Sequence, residues 1–227
     1  MKKLFFILSA ALILFGCGMS DTNPEMGKSV DELVSEGSDA FMAGEYEKAV
    51  QAYTDLKDWY PFSKYAILAE LKIADSYFKL ESYDEAIMAY EEFERMHPKN
   101  EAIPYVIYQI GMSWFNQIRT VDRESTPAKK SLAVFKRLNS QYPNSEYASK
   151  TGEKIKACME NMAGHELYVA NWYLKTQKYQ AALNRYEYLV ASFPGSKQSQ
   201  LAQTKIPECR AKIKKQGDSG AKKSLLY

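Results

Sequence analysis

Four windows of 17 residues align in this chain without a gap, and each closes on a proline. They read EYEKAVQAYTDLKDWYP (45–61), SYDEAIMAYEEFERMHP (82–98), PAKKSLAVFKRLNSQYP (127–143) and KYQAALNRYEYLVASFP (178–194). The fifth column is small (Ala49, Ala86, Ser131, Ala182), the ninth aromatic (Tyr53, Tyr90, Phe135, Tyr186) and the twelfth apolar (Leu56, Phe93, Leu138, Leu189). Columns 5, 6, 9, 12 and 16 share one face of a helix. The closing proline stops that helix, because its ring disfavours the α conformation in the residue before it. One such amphipathic stripe cannot be buried by its own hairpin, so the units must stack on their neighbours.

A second motif precedes each window: GSDAF (37–41), ADSYF (74–78), GMSWF (111–115) and ANWYL (170–174). Its small first residue lets a neighbouring helix approach, and an aromatic or apolar pair three and four positions later shares the same face. From that small residue to column 5 is 12 residues in repeats one, two and four, and 20 in repeat three. The extra residues fall in the polar stretch NQIRTVDRESTPAKK, where Thr126 reads as a helix cap, Pro127 as the first helical position, and 119–127 as the place for motion. Ser29 with Glu32, and Ser82 with Glu85, have capping-box spacing, and Asn144 and Ser145 are placed to start a helix. The interval from Pro143 to Ala170 is 14 residues longer than its counterparts, close to four turns at ~3.6 residues per turn, so Ser145 to about Lys175 is predicted as one long helix. After Pro194 a first helix follows without a complete second one, kinked or restarted at Pro207. The fold class is therefore all-α: a tetratricopeptide-repeat superhelix of about five helical hairpins, the last incomplete. Its segments are 29–143 (repeats one to three), 144–214 (the long helix with repeats four and five) and 215–227, a loose, basic tail.

The N-terminus has three parts. Lys2 and Lys3 give a positive start, Leu4 to Phe15 form a 12-residue apolar run, and Gly16 precedes Cys17. The run is too short to span a bilayer, which takes roughly 20 residues, and reads as an export signal over 1–16. The LFGC sequence resembles the lipobox of bacterial lipoproteins. That resemblance implies lipidation of Cys17, a lipidated N-terminus and linker over 17–28, and, with Gly18 in place of an aspartate, sorting to the outer membrane. Two or more acyl chains make a stable anchor.

Removing Lys2 and Lys3 takes the formal charge from +2 to 0, so no global field attracts nucleic acid. Of the two histidines, His97 stands at column 16 where the other repeats carry aromatics, and reads as a packing residue. His165 has no His, Cys or Asp partner at ligand spacing. Glu91, Glu92 and Glu94 read as solvated charge on an outer face. No phosphate loop, serine elbow or carboxylate pair is present, so neither enzyme activity, a metal nor a cofactor is expected. Cys158 and Cys209 sit 14 residues out of register on stacked helices, about 21 Å at ~1.5 Å per residue. A disulfide needs Cα atoms within about 7 Å, so two free, buried thiols are predicted. Tyr65, Tyr105 and Tyr108 fall outside the repeat columns, near the starts of first helices, where tyrosine suits either peptide binding or packing between repeats.

The stretches YPFSKYA (60–66), PYVIYQIGMS (104–113), VDRESTP (121–127), YPNSEYA (142–148) and, above all, HELYVANWYLKTQKYQAALNRYEYLVASFP (165–194) resemble the BamD family of lipoproteins, over about residues 30–214. The resemblance implies a non-catalytic, lipid-anchored scaffold on the periplasmic face of the outer membrane. Its partners would be the POTRA domains of BamA, unfolded outer-membrane β-barrel proteins and further assembly-machine lipoproteins. It places Arg185, with Asn184 and Glu187, at the BamA contact, and precursor peptides on Tyr60, Phe62, Tyr65, Tyr105 and Tyr108. The alternative from the repeats alone is a tetratricopeptide lipoprotein scaffold for cell-envelope or peptidoglycan organisation.

Overall fold

The computed structural model describes residues 27–224, with side-chain surroundings through 218. The signal segment, Cys17 and the linker through 26 lie outside the described residues, as do 225–227. What is described is helical: α1 (Val30–Met42), α2 (Tyr46–Trp59), α3 (Ala66–Lys79), α4 (Tyr83–Met96), α5 (Ile103–Asn116), α6 (Thr126–Gln141), α7 (Glu146–Ser149), α8 (Gly152–Lys175), α9 (Tyr179–Ser192) and α10 (Lys197–Ser224). No strand occurs among the described residues.

The described residues form two compact units, one ending at Ala69 and the other beginning at Glu70, divided within α3. In the first, α1 and α2 make a helical hairpin that buries Leu33 and Ala40 against Ala49, Tyr53 and Leu56. In the second, α4 packs on α5, α5 on α6, α6 on α8, α8 on α9 and α9 on α10. Its core has one cluster around Tyr90, Phe93, Ile107 and Leu138, and another around Ala170, Tyr186, Leu189 and Cys209. These are tetratricopeptide hairpins, and the repeat columns explain them. All four small, all four aromatic and all four apolar column residues are buried. Each proline imposes the same ending: Tyr60, His97, Tyr142 and Phe193 take φ between −126° and −134° and ψ between 52° and 57°. Each still donates its N–H to the carbonyl of the column-12 residue four positions back.

The small residue of the upstream motif meets the column-9 aromatic. A Cβ on Gly37 would lie 2.8 Å from the Tyr53 ring, and one on Gly111 would run into Phe135. Where that residue is alanine, the next side chain receives the tyrosine hydroxyl: Tyr90 donates to Asp75 Oδ1 at 2.7 Å and Tyr186 to Asn171 Oδ1 at 2.6 Å. Seven positions after the small residue, three of the hairpin turns place a left-handed residue: Gly44 (φ 78°), Glu81 (φ 59°) and Gln177 (φ 61°). Only the first is the glycine such a turn favours.

Five local expectations are corrected. Ser29 and Glu32 form the capping box, but Ser82, at the start of α4, makes no side-chain cap bond, and α6 begins at Thr126 with Ser125 before it and Pro127 second. The long helix is broken: α7 ends at Ser149 and α8 starts at Gly152. The buried Thr151 hydroxyl donates back to the Ala148 carbonyl and to Asn139, a local bond that competes with continuing the helix. Glu94 is not solvated charge, because Arg137 of α6 grips both its oxygens, one at 3.0 Å. Finally, α10 runs through Pro207 to Ser224, so 215–224, read as a loose tail, carry helical backbone. His97 packs on Phe93, as column 16 implied, and also pairs with Glu70 at 2.7 Å. Cys158 and Cys209 are free and buried, and burial pushes both thiols up from their ordinary pKa.

Buried tyrosines give the fold an alkaline limit. Burial, followed by the neighbouring Asp75 carboxylate, raises the pKa of Tyr90 and Tyr105, and burial pushes Tyr186 up to about 12. The unfolded value is about 10. A folded pKa above the unfolded one contributes stability that is complete below the unfolded value and is lost as pH rises through the folded one. Unfolding free energy should therefore begin to fall above about pH 8.5, where the two raised thiols would ionise in the unfolded chain, and fall more steeply above about pH 10. Tyrosinate absorbance read beside circular dichroism should show these three phenols ionising only as helix is lost; their ionisation with helix intact would refute this.

Candidate partner-binding surfaces

The residues assigned to a partner contact lie on α9, on the side away from its buried columns. Asn184, Arg185, Glu187 and Tyr188 are exposed, while Tyr186 among them and Leu189 after them are buried. Arg185 is held rather than loose: its Nη1 donates to Glu166 Oε2 of α8 at 2.9 Å. Glu166 is 7% exposed, and a carboxylate that deep needs a positive partner. The bond uses one end of a guanidinium whose side chain is 45% exposed, leaving the fork's other N–H groups directed away from Glu166 and able to take a second carboxylate. Glu187 accepts from Arg210 of α10 at 2.8 Å, and Asn184 accepts from Gln180 at 2.9 Å. Each of the three thus has a partner inside the unit, with Arg185 turned toward α8 and Glu187 toward α10.

A second surface on this unit was not legible in the sequence. Val121, Tyr168, Asn171, Lys197 and Leu201 line a cleft of about 380 Å³ between α8 and α10, and Tyr168 and Leu201 are about half exposed. Val121 comes from the polar insertion of repeat three, which lies on α8. Asn161 Nδ2 donates to the Arg119 carbonyl and the His165 ring bonds the Val121 carbonyl through Nδ1, each at 2.9 Å. The Val121 partner is a carbonyl oxygen, so Nδ1 is the donor. Gly164 makes room, since a Cβ there would sit 2.7 Å from Val121. His165, read as a histidine without a partner, is therefore a strap point for the insertion. The only earlier signal was Gly164–His165 in a helix that had no evident need of either.

The five aromatics assigned to precursor binding divide between the units. Tyr60, Phe62 and Tyr65 lie on the turn after α2. Tyr60 donates to the Lys28 carbonyl at 2.8 Å. Phe62 is wholly exposed, on the rim of a cleft of about 390 Å³ lined by Val30, Trp59 and Tyr60. Lys64 lies over the Tyr65 ring at 4.8 Å. Tyr105 and Tyr108 share α5 and are half-buried. The Tyr105 hydroxyl is given to Asp75 at 2.6 Å, and both rings pack on Tyr147. Arg123, in the insertion, is 3.9 Å from Asp122. Among the described residues no three His, Cys, Asp or Glu side chains converge as metal ligands, and no described helix is long and apolar enough to cross a membrane.

Comparison with known proteins matches residues 26–216 to the family model of YfiO, described as an outer membrane lipoprotein. The outer membrane protein assembly factor BamD of Vibrio cholerae is 30% identical over 198 residues, covering 82% of this chain and 81% of that protein. Its counterpart in Neisseria gonorrhoeae is 28% identical over 212 residues, covering 87% and 79%. A thermophilic tetratricopeptide protein of Thermus thermophilus superposes with a TM-score of 0.42 at 14% identity, covering 81% of this chain and all of that one. That overlay adds nothing to a fold assignment that rests on the helices themselves.

Proposed function

The chain belongs to the YfiO family of outer membrane lipoproteins, and from that membership we propose that it is a non-catalytic scaffold of the outer-membrane β-barrel assembly machine. Cys17, lipidated, holds it to the periplasmic face of the outer membrane. The α9 face binds a POTRA domain of a BamA-like partner. The aromatics of the earlier repeats, Tyr60, Phe62, Tyr65, Tyr105 and Tyr108, receive unfolded barrel proteins, and further lipoproteins of the machine add to the assembly.

The observation that carries this reading is the Glu166–Arg185 pair. A buried carboxylate fixes an arginine whose side chain is still 45% exposed, in a stretch where Asn184 and Tyr188 are exposed too. A pre-positioned guanidinium suits a partner carboxylate, which it can pair bidentately. The same pair dictates the test, because replacing Arg185 would also strand Glu166. A photocrosslinking residue is therefore placed at Asn184, with Arg185 intact, in native outer membranes, and the captured partner is identified by mass spectrometry. A POTRA-bearing barrel protein is the expected catch, and Arg185→Lys, which keeps a positive partner for Glu166 but loses the bidentate fork, should weaken it. Capture of a peptidoglycan-linked protein instead would sink the assembly role.

A further inference from the structure

The turn after α2 lies where the N-terminal chain joins the first hairpin. Phe62 stands 101% exposed, next to an exposed Pro61 and a half-buried Trp59, at the end of the hairpin from which the N-terminal chain leaves. The Tyr60 hydroxyl holds the Lys28 carbonyl at 2.8 Å, and Val30 shares the cleft beneath Phe62. Lys28 follows Cys17 by 11 residues. At ~3.3–3.6 Å per residue that segment reaches no more than about 40 Å. The Tyr60 bond therefore keeps the aromatic tip close to the end of the chain that carries Cys17.

We propose that this tip, Phe62 with Trp59 and Pro61, is a lipid-contact surface that, while no precursor occupies it, rests in the headgroup region of the bilayer to which Cys17 is anchored. The proposal rests on the anchoring just put forward. Aromatic side chains favour the membrane–water interface, where an apolar ring is buried while neighbouring polar groups stay wet. Two of the three local lysines are paired, Lys28 with Glu36 at 2.5 Å and Lys57 with Asp58 at 3.5 Å, while Lys64 lies over the Tyr65 ring and keeps its charge. The contact is thus driven by ring partition more than by attraction to anionic lipid, and it weakens little with salt. It gives the tether a second point and orients the hairpin on the membrane.

The test is photocrosslinking in native outer membranes with p-benzoylphenylalanine, a ring of the same kind, at position 62 of the full chain. Met42 is the control. It is 83% exposed on the same unit but at the other end of α1, about 18 Å away at ~1.5 Å per residue. The mass of the N-terminal lipopeptide reports anchoring independently. Phospholipid adducts at 62 should exceed those at 42 by about tenfold, the scale of partitioning one aromatic ring. With Cys17 lipidated, equal adducts at the two positions, none at 62, or barrel-precursor adducts in place of lipid would each overturn the proposal while leaving the anchor intact. An unmodified Cys17 would overturn the anchor and the proposal together.

Discussion

Asp75→Ala is expected to destabilise the second unit by about 3–4 kcal/mol, the cost of breaking a buried, charged hydrogen-bond network from one side. Asp75 is 8% exposed. One of its oxygens accepts both the Tyr90 hydroxyl at 2.7 Å and the Tyr105 hydroxyl at 2.6 Å, and the other faces Lys72 at 3.3 Å. Gln109 reaches both hydroxyls from the far side. With alanine, two phenols lose their acceptor, and Tyr90, fully buried, has no route to water. Thermal unfolding by circular dichroism should show a fall of roughly 10 °C, at about 2–4 °C per kcal/mol for a unit of this size. Asp75→Asn keeps an acceptor oxygen and should cost about 1 kcal/mol. If the alanine variant melts with the unsubstituted protein, Asp75 is not the keystone of this cluster. The network also occupies the polar end of Tyr105, whose hydroxyl is given to Asp75.

The residues that repeat were readable in advance, and those that act across repeats were not. The helix ends at Tyr60, His97, Tyr142 and Phe193 follow from the prolines, because a pre-proline residue is excluded from the α region wherever it occurs. Columns 5, 9 and 12 follow from periodicity. Asp75 and Asn171 were missed because a polar residue beside a small one looks solvent-facing until the column-9 tyrosine is placed opposite it. The insertion of repeat three announced its length but not its landing place, since Asn161 and His165 lie more than 40 residues from the carbonyls they hold. The break at Lys150–Thr151 escaped for a different reason. Adding about four turns preserves the helical face, so an unbroken helix satisfied the pattern equally well; the back-bond of Thr151 decides it. At the partner surface, Arg185 drew its role from resemblance alone, and its buried tie to Glu166 had no signature at a separation of 19 residues.

Gly111→Ala is expected to cost about 2–3 kcal/mol, at the upper end of overpacking penalties. The reason is geometric. Gly111 has no room for a Cβ because the Phe135 ring lies against its Cα, and its carbonyl accepts the Ser131 hydroxyl at 3.0 Å, which resists a shift of the backbone away from α6. Phe135 is fully buried and also packs on Tyr108 at 5.9 Å, so its ring has little freedom to retreat. The same alanine stands at Ala74 and Ala170 without harm, which separates this effect from helix propensity. Propensity alone would make the substitution favourable by up to about 1 kcal/mol. Phe135→Leu should cost about 1–2 kcal/mol by itself through lost contact area. Combined with Gly111→Ala it should cost less than the sum, because the smaller side chain yields the space that the new methyl needs. A coupling of at least about 1 kcal/mol in the double-mutant cycle, measured by denaturant unfolding, is the expected result. Strict additivity would mean that glycine at 111 serves the helix and not the fit between α5 and α6. In that case the alternation of glycine and alanine at the motif's first position would have to follow something other than the aromatic opposite it.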